Sequence, residues 1–224
     1  MNDRLHTILA RIAAAAEGRP VDLLAVSKTR SSEEVRALAA CGQRAFGENY
    51  VQEAVPKQAA LRDLALDWHL IGPLQSNKCR EAAATFDWVE TVDRPKLVPL
   101  LARYRDASAP PLNLLVQVNI DDEASKSGCR PEQIEALAAS IAAEPRLRLR
   151  GLMAIPAPGD AERLRRAFRS MAAWFERLRG AHPAVDTLSM GMSDDFELAV
   201  AEGSTEVRIG TALFGPRPPK PATD

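Results

Sequence analysis

The chain holds only three cysteines, three histidines and two tyrosines among its 224 residues. Each scarcity removes a class of chemistry. Cys41, Cys79 and Cys129 are odd in number, far apart and without a CxxC pair, so neither a disulfide framework nor a zinc site follows. Three reduced thiols suit a cytoplasmic protein. His6, His69 and His182 are equally scattered, and no metal cluster is readable from them. No apolar run approaches the length of a membrane span. No signal peptide is visible ahead of the alanine-rich amphipathic stretch that follows His6. A net charge of -1 and a pI near 6.3, with signs alternating along the chain, leave no dominant surface for nucleic acid or anionic membrane. Lysine is scarce as well: few of the 29 basic residues are lysine, and no lysine but Lys28 precedes Lys57.

What is present is a regular alternation of short apolar runs with amphipathic helical ones, 46% hydrophobic and long enough for one large α/β core. An opening helix is expected over residues 3–17, within a segment 1–18. Strands are expected over 21–27, 44–47, 67–71, 88–92, 113–119, 149–155, 187–190 and 206–210. Helices are expected between them over 31–41, 51–63, 77–85, 95–105, 131–143, 161–179 and 193–201. Ser31-Ser32-Glu33-Glu34 has the caps and first-turn acids of a helix start, Gly42 a stop, and Pro131 a first helical position. Strict alternation predicts a parallel sheet. Eight units predict a (β/α)8 TIM barrel, smaller than the ~250 residues typical of that fold. The alternative is an open doubly wound sheet, but the turn Ser27-Lys28-Thr29-Arg30-Ser31 has no glycine where that fold places GxGxxG. No composition break appears, so one domain spans 1–224, with a proline-rich, flexible tail over 216–224.

Ligands of such barrels bind at the carboxyl ends of the strands. Those ends carry Lys28, Glu48 and Asn49, His69 and Gly72, Asn119, Met153, then Ser189, Gly191 and Ser193, and finally Arg208, Gly210 and Thr211. Arginine keeps its charge almost everywhere. A desolvated lysine can lose its proton and become an amine nucleophile, the chemistry of a Schiff base with an aldehyde cofactor. The plainer reading of Lys28 is a side chain that snorkels to solvent from a strand end. The runs after strands seven and eight combine glycine, hydroxyls and a helix start, as an anion site requires, where barrels commonly hold phosphate. Their plainer reading is that Ser193 caps a helix and Gly210 turns the chain. Arg208 neighbours strand one in a closed barrel. Facing inward, it would lower the Lys28 pKa by like charge and, if the ligand were pyridoxal phosphate, could donate to the ring nitrogen. Facing outward, it would pair with a helix acid. Val207 and Ile209 flank it, so alternation does not choose.

These motifs resemble those of the YggS/PROSC family, the pyridoxal phosphate homeostasis proteins. The matching stretches are Ala25-Val26-Ser27-Lys28-Thr29, Phe46-Gly47-Glu48-Asn49-Tyr50, Trp68-His69-Leu70-Ile71-Gly72-Pro73-Leu74-Gln75-Ser76-Asn77-Lys78 and Gln117-Val118-Asn119-Ile120. Further on come Gly151-Leu152-Met153-Ala154-Ile155, Ser189-Met190-Gly191-Met192-Ser193-Asp194-Asp195 and Gly203-Ser204-Thr205-Glu206-Val207-Arg208-Ile209-Gly210-Thr211. The likeness runs from strand one to Phe214-Gly215. It implies an alanine-racemase N-terminal-domain-like TIM barrel with pyridoxal 5'-phosphate (PLP) held by Lys28 as an aldimine. It implies Asn49 beside the ring, Arg208 at the ring nitrogen, and Ser189, Ser193, Gly210 and Thr211 around the phosphate. Met190, in the same loop, joins the expected binding residues. The implied role is a monomeric carrier or regulator of the cofactor pool. It would have no catalytic residues and no metal, would act indirectly on amino-acid and keto-acid metabolism, and would have apo PLP-dependent enzymes as partners.

A PLP-dependent racemase of fold type III is the alternative. Such enzymes append a β-domain, and a partner subunit's tyrosine is the second base; this chain runs only about ten residues past the strand-eight motif. Two-base racemization needs a proton donor on the opposite face. Tyr104 falls on an outer helix, Tyr50 lies beside the strand-two loop, and His69 is a conceivable base or an ordinary strand-end polar group. A third possibility is a barrel that binds another phosphorylated metabolite noncovalently, with Lys28 as a charge partner.

Overall fold

A computed structural model describes residues 1–121 and 127–216. Eight strands, β1 (Asp22–Val26), β2 (Ala45–Glu48), β3 (Asp67–Leu70), β4 (Trp88–Val92), β5 (Leu112–Val118), β6 (Leu147–Ala154), β7 (Thr187–Ser189) and β8 (Glu206–Ile209), pair in chain order. Every pairing is parallel, and β8 returns to β1 with Leu24 opposite Arg208. The predicted closed barrel is therefore what the chain forms. Residues 217–224 of the expected tail lie outside the described residues.

The helices are α1 (Asn2–Ala16), α2 (Ser32–Ala40), α3 (Val51–Ala60), α4 (Cys79–Thr85), α5 (Leu97–Tyr104), α6 (Ile134–Ala142), α7 (Ala161–Ala181), α8 (Phe196–Ala201) and α9 (Thr211–Phe214). Leading helix α1 buries Leu5, Ile8, Ile12 and Ala16, one stripe at helical spacing, against α8 and α9. Helix α2 starts in a capping box: the Ser31 hydroxyl accepts the Glu34 N–H at 3.2 Å, and the Glu34 carboxylate accepts the Ser31 N–H at 2.9 Å. That cap fixes where the loop after β1 ends.

The main core lies between sheet and helices, where Phe46, Trp68, Val89, Leu114, Phe168 and Phe175 join one cluster. Burying each such side chain contributes roughly 1.5–3 kcal/mol. Val207 and Ile209 belong to this outer core. Arg208 between them points the other way, into the barrel, where Ser189 and Ala154 of neighbouring strands receive it. Gly151 marks an irregularity in β6: a Cβ there would stand 1.8 Å from the Thr187 carbonyl oxygen, so only glycine permits the close β6–β7 approach.

One boundary matters for the site. The helix expected from residue 193 starts at Phe196, because Asp195 is its cap residue and accepts the Met192 N–H at 2.6 Å. The loop after β7 makes a turn of its own first, which leaves Ser193 outside the helix it was expected to cap.

Candidate functional site

The carboxyl ends of β7, β8 and β1 are adjacent on one rim of the barrel. Lys28 lies two residues past the end of β1 and is half-buried. Gly210, the residue that opens α9, runs against that exit: a Cβ on it would lie 3.3 Å from the Val26 carbonyl oxygen. Thr211 and the first N–H groups of α9 therefore share the rim with Lys28, and such leading N–H groups have no partner within their own helix. Arg30 clasps the two segments together. Its buried guanidinium donates to the Gly215 carbonyl, to the Pro216 carbonyl at 3.2 Å and to Glu34 at 3.2 Å, and it lies over the Phe214 ring at 5.4 Å.

Thr29, next to Lys28, has φ 64°. A β-branched residue in the left-handed region costs about 1–3 kcal/mol and persists only where its surroundings impose it. The capping box, the Arg30 clasp and a 3.3 Å bond from the Thr29 N–H to Glu53 impose it here. The floor of this loop is also polar. Glu48, fully buried on β2, accepts Lys57 Nζ at 2.5 Å and the Ser27 hydroxyl at 2.6 Å, while Lys57 also reaches the Ser27 carbonyl at 2.8 Å. Burial pushes the Glu48 carboxyl up, against the pull of Lys57 and Ser27.

Inside the barrel, a chain of contacts leads away from Arg208. Its Nη1 donates to the Ser189 carbonyl at 2.8 Å and to the Ser189 hydroxyl at 2.7 Å, and its Nη2 to the Ala154 carbonyl at 2.8 Å. The Ser189 hydroxyl in turn donates to Glu90 at 2.7 Å, and the other oxygen of Glu90 lies 2.7 Å from His69 Nδ1. Glu206 lies 3.9 Å from the same nitrogen. Burial lowers the Arg208 pKa while Glu90, Glu206 and Asp195 resist. Burial and the neighbouring Glu90 charge push Glu206 up to about 8. Burial pulls His69 down, but its bond to Glu90 and the charges of Glu206 and Glu90 outweigh this, and the net shift is upward. For Glu90 burial acts upward, yet His69 and Arg208 hold it below its ordinary value.

The structure thus brings Lys28, Ser193, Gly210 and Thr211 to one rim, with Arg208 below. Asn49 is half-buried beside them, and its carbonyl oxygen would stand 2.0 Å from a Cβ at Gly72, so that glycine is what lets the β2 and β3 exits touch. Ser189 and Met190 are fully buried. The Ser189 hydroxyl is engaged by Arg208 and Glu90, a level deeper than the rim. Arg208 faces inward with partners on both terminal nitrogens, which offset the cost of burying its charge. His69 requires correction: it is no strand-end group but lies within β3, stacked on Trp88 at 4.9 Å, and lines a cavity at the amino ends of the strands. That cavity, about 1370 Å³, opens on the face opposite Lys28. Its size does not make it the better candidate for covalent chemistry, because no lysine among the described residues lines it and barrel ligands gather at the other face. Reading the sequence missed Glu90, Lys57 and Glu206.

The alanine racemase N-terminal domain family matches residues 2–218. The chain belongs to this family. Within it, the chain is similar to the pyridoxal phosphate homeostasis proteins. It is 54% identical over 224 residues to that of Pseudomonas aeruginosa, covering 96% of this chain and 95% of the relative. The Escherichia coli K12 protein of the same name is 51% identical over 230 residues, covering 97% and 98%. The solved structure of PipY from Synechococcus elongatus PCC7942 with PLP bound is similar with a TM-score of 0.81 and 40% identity, covering 93% of this chain and all of PipY. The alanine-racemase-like barrel implied by the motifs is the fold of the family and of this chain.

Proposed function

We propose that this protein binds PLP through Lys28 and maintains the supply of that cofactor as a carrier or buffer. The observation that carries this reading is the convergence of an amine, a buried guanidinium and two glycine-flanked, hydroxyl-bearing turns on the adjacent exits of β1, β8 and β7. The relatives' names and the PLP-bound PipY structure support it.

The donor set fits a phosphorylated pyridine aldehyde. When bound, PLP supplies an aldehyde that an amine can trap and a ring that withdraws electrons. Lys28 is the amine. Ser193, Thr211 and the backbone N–H groups after Gly210 offer neutral and dipolar donors to a phosphate dianion. Gly191 lets the β7 turn fold onto α8, since a Cβ there would stand 2.6 Å from the Ala199 Cβ. Asn49 flanks the ring. Three of the five guanidinium N–H groups of Arg208 are held by Ser189 and Ala154, which leaves donors for a ring nitrogen. Ser189 acts through Arg208. A permanently charged donor keeps the ring nitrogen unprotonated, and this weakens the electron sink that turnover would exploit. That favours holding over catalysis.

The racemase reading has less support. Tyr50 is 55% exposed, Tyr104 lies under Arg80 and Arg103, and His69 belongs to the opposite end of the barrel. The carrier reading extends to a cytoplasmic monomer that hands PLP to apo-enzymes. Uncrosslinked thiols at Cys41, Cys79 and Cys129 support the reducing compartment, and no helix among the described residues is long and apolar enough to cross a membrane.

Absorbance of the purified protein tests the proposal. A visible band that borohydride removes, absent from Lys28→Ala, is expected, together with transfer of the cofactor to an apo-enzyme and no α-proton exchange on amino acids. A colourless parent that takes up no added PLP overturns the binding, and brisk α-proton exchange overturns the carrier role.

A further inference from the structure

The interior of the barrel holds a second set of ligand atoms that PLP binding at the rim does not use. His69, Glu90 and Glu206 come from β3, β4 and β8, and one donor atom of each lies within 4.8 Å of the others. All three are buried: His69 is 3% exposed, Glu90 0% and Glu206 5%. Glu206 Oε1, itself buried, has no hydrogen-bond partner among the described residues. A buried carboxylate oxygen left this way is costly, and a native fold seldom tolerates it without a partner.

We propose that His69, Glu90 and Glu206 form a binding site for a divalent transition-metal cation of the zinc type, reached from the cavity at the amino ends of the strands.

Three features carry this. The first is spacing. Zinc bonds of about 2.0–2.2 Å in a tetrahedral shell set ligand atoms roughly 3.3–3.4 Å apart. The present separations from His69 Nδ1, 2.7 Å to Glu90 and 3.9 Å to Glu206, straddle that value. Small side-chain rotations bring both to it. The second is charge. Two carboxylates face one guanidinium, Arg208, which is held on the far side of Ser189. A bound dication would release the Glu206 proton to solvent, and the two carboxylates would then carry one negative charge more than the guanidinium offsets. Nitrogen and oxygen donors together select zinc and its neighbours over calcium or magnesium. The third is access and support. His69 and Glu206 line the cavity of about 1370 Å³, which offers an ion a path and a fourth position for water. Glu90 is oriented by a hydrogen bond from Ser189, the kind of outer partner a metal ligand has, and the His69 ring is held by stacking on Trp88. The three cysteines lie elsewhere, so the shell would contain no sulfur.

This inference does not depend on PLP. Calorimetric titration of Zn²⁺ into the full-length protein, with zinc K-edge absorption of the loaded sample, tests it. One Zn²⁺ per chain in an all-nitrogen-and-oxygen shell is expected, with affinity at least about tenfold weaker in Glu206→Gln and His69→Gln. Circular dichroism checks that each variant is folded; Glu206→Gln preserves shape and decides the matter alone if His69→Gln does not fold. No uptake by the parent, sulfur in the shell, or unchanged affinity in folded Glu206→Gln overturns the site. A metal bound to PLP or to a thiol would give one of these last two results.

Discussion

Lys57 neutralises Glu48 from within α3, at 2.5 Å, directly under the residue that precedes Lys28. Removing one partner of a buried pair strands the other. Lys57→Met is expected to destabilise the fold by about 3–5 kcal/mol, and the double variant Lys57→Met/Glu48→Gln to recover most of it. Urea denaturation midpoints of the parent, single and double variants measure this. Equal losses in the single and double variants would mean the cost is packing rather than charge.

Glu206 sets a pH dependence. Its ordinary value is 4.5, and in the fold it is pushed up to about 8 by burial and Glu90. Between these values the folded chain keeps a proton that the unfolded chain has lost. Stability therefore falls as pH rises from about 4.5 to about 8 and then levels off. His69, raised as well, contributes in the same direction, losing stability as pH rises through its folded value. Glu90, held low, acts the opposite way and only at more acidic pH. Glu206→Gln is expected to flatten the decline across that window, which denaturation midpoints at a series of pH values would show. A parent whose stability rises through the window would contradict the assignment.

Thr29 holds a conformation that glycine adopts freely. Thr29→Gly is expected to raise stability by about 1 kcal/mol, the relieved strain less the greater freedom of the unfolded chain. It also loosens the loop that aims Lys28, so a higher denaturation midpoint should accompany faster release of bound PLP.

In the proposed PLP site, Thr211 offers one hydroxyl to the phosphate at the α9 start. Thr211→Ala is expected to weaken PLP affinity by about 1–2 kcal/mol, the loss of one charge-assisted hydrogen bond. Dissociation constants measured by absorbance titration check it, and an unchanged constant would remove Thr211 from the phosphate cradle.

Much of this architecture was legible because each strand–helix unit announces itself locally. The Ser31 box, the apolar run of β5 and the order of eight units needed only short-range patterns. Lys57 was missed although a signal was there: it continues the buried stripe of Val51 and Ala54 in α3, and lysine is rare in this chain. Arg208 was not. With apolar residues on both sides, its face depends on which neighbour belongs to the outer core, and that is decided by packing across the sheet. His69, Glu90 and Glu206 were hidden for a related reason. Each stands on a different strand, and only barrel closure and register bring β3, β4 and β8 to a common point. The late start of α8 was missed because Ser193 and Asp195 are both good caps, and the choice rests on the turn between them.

Arg30 and Gly215 stand 185 residues apart in the chain. Their bond makes the loop that carries Lys28 depend on a contact formed only after the whole barrel between them exists. During synthesis this loop leaves the ribosome 185 residues ahead of its anchor. A nascent chain can assemble α2 to α8 while this loop is still slack, and Lys28 takes its place only once the segment after α9 has been made.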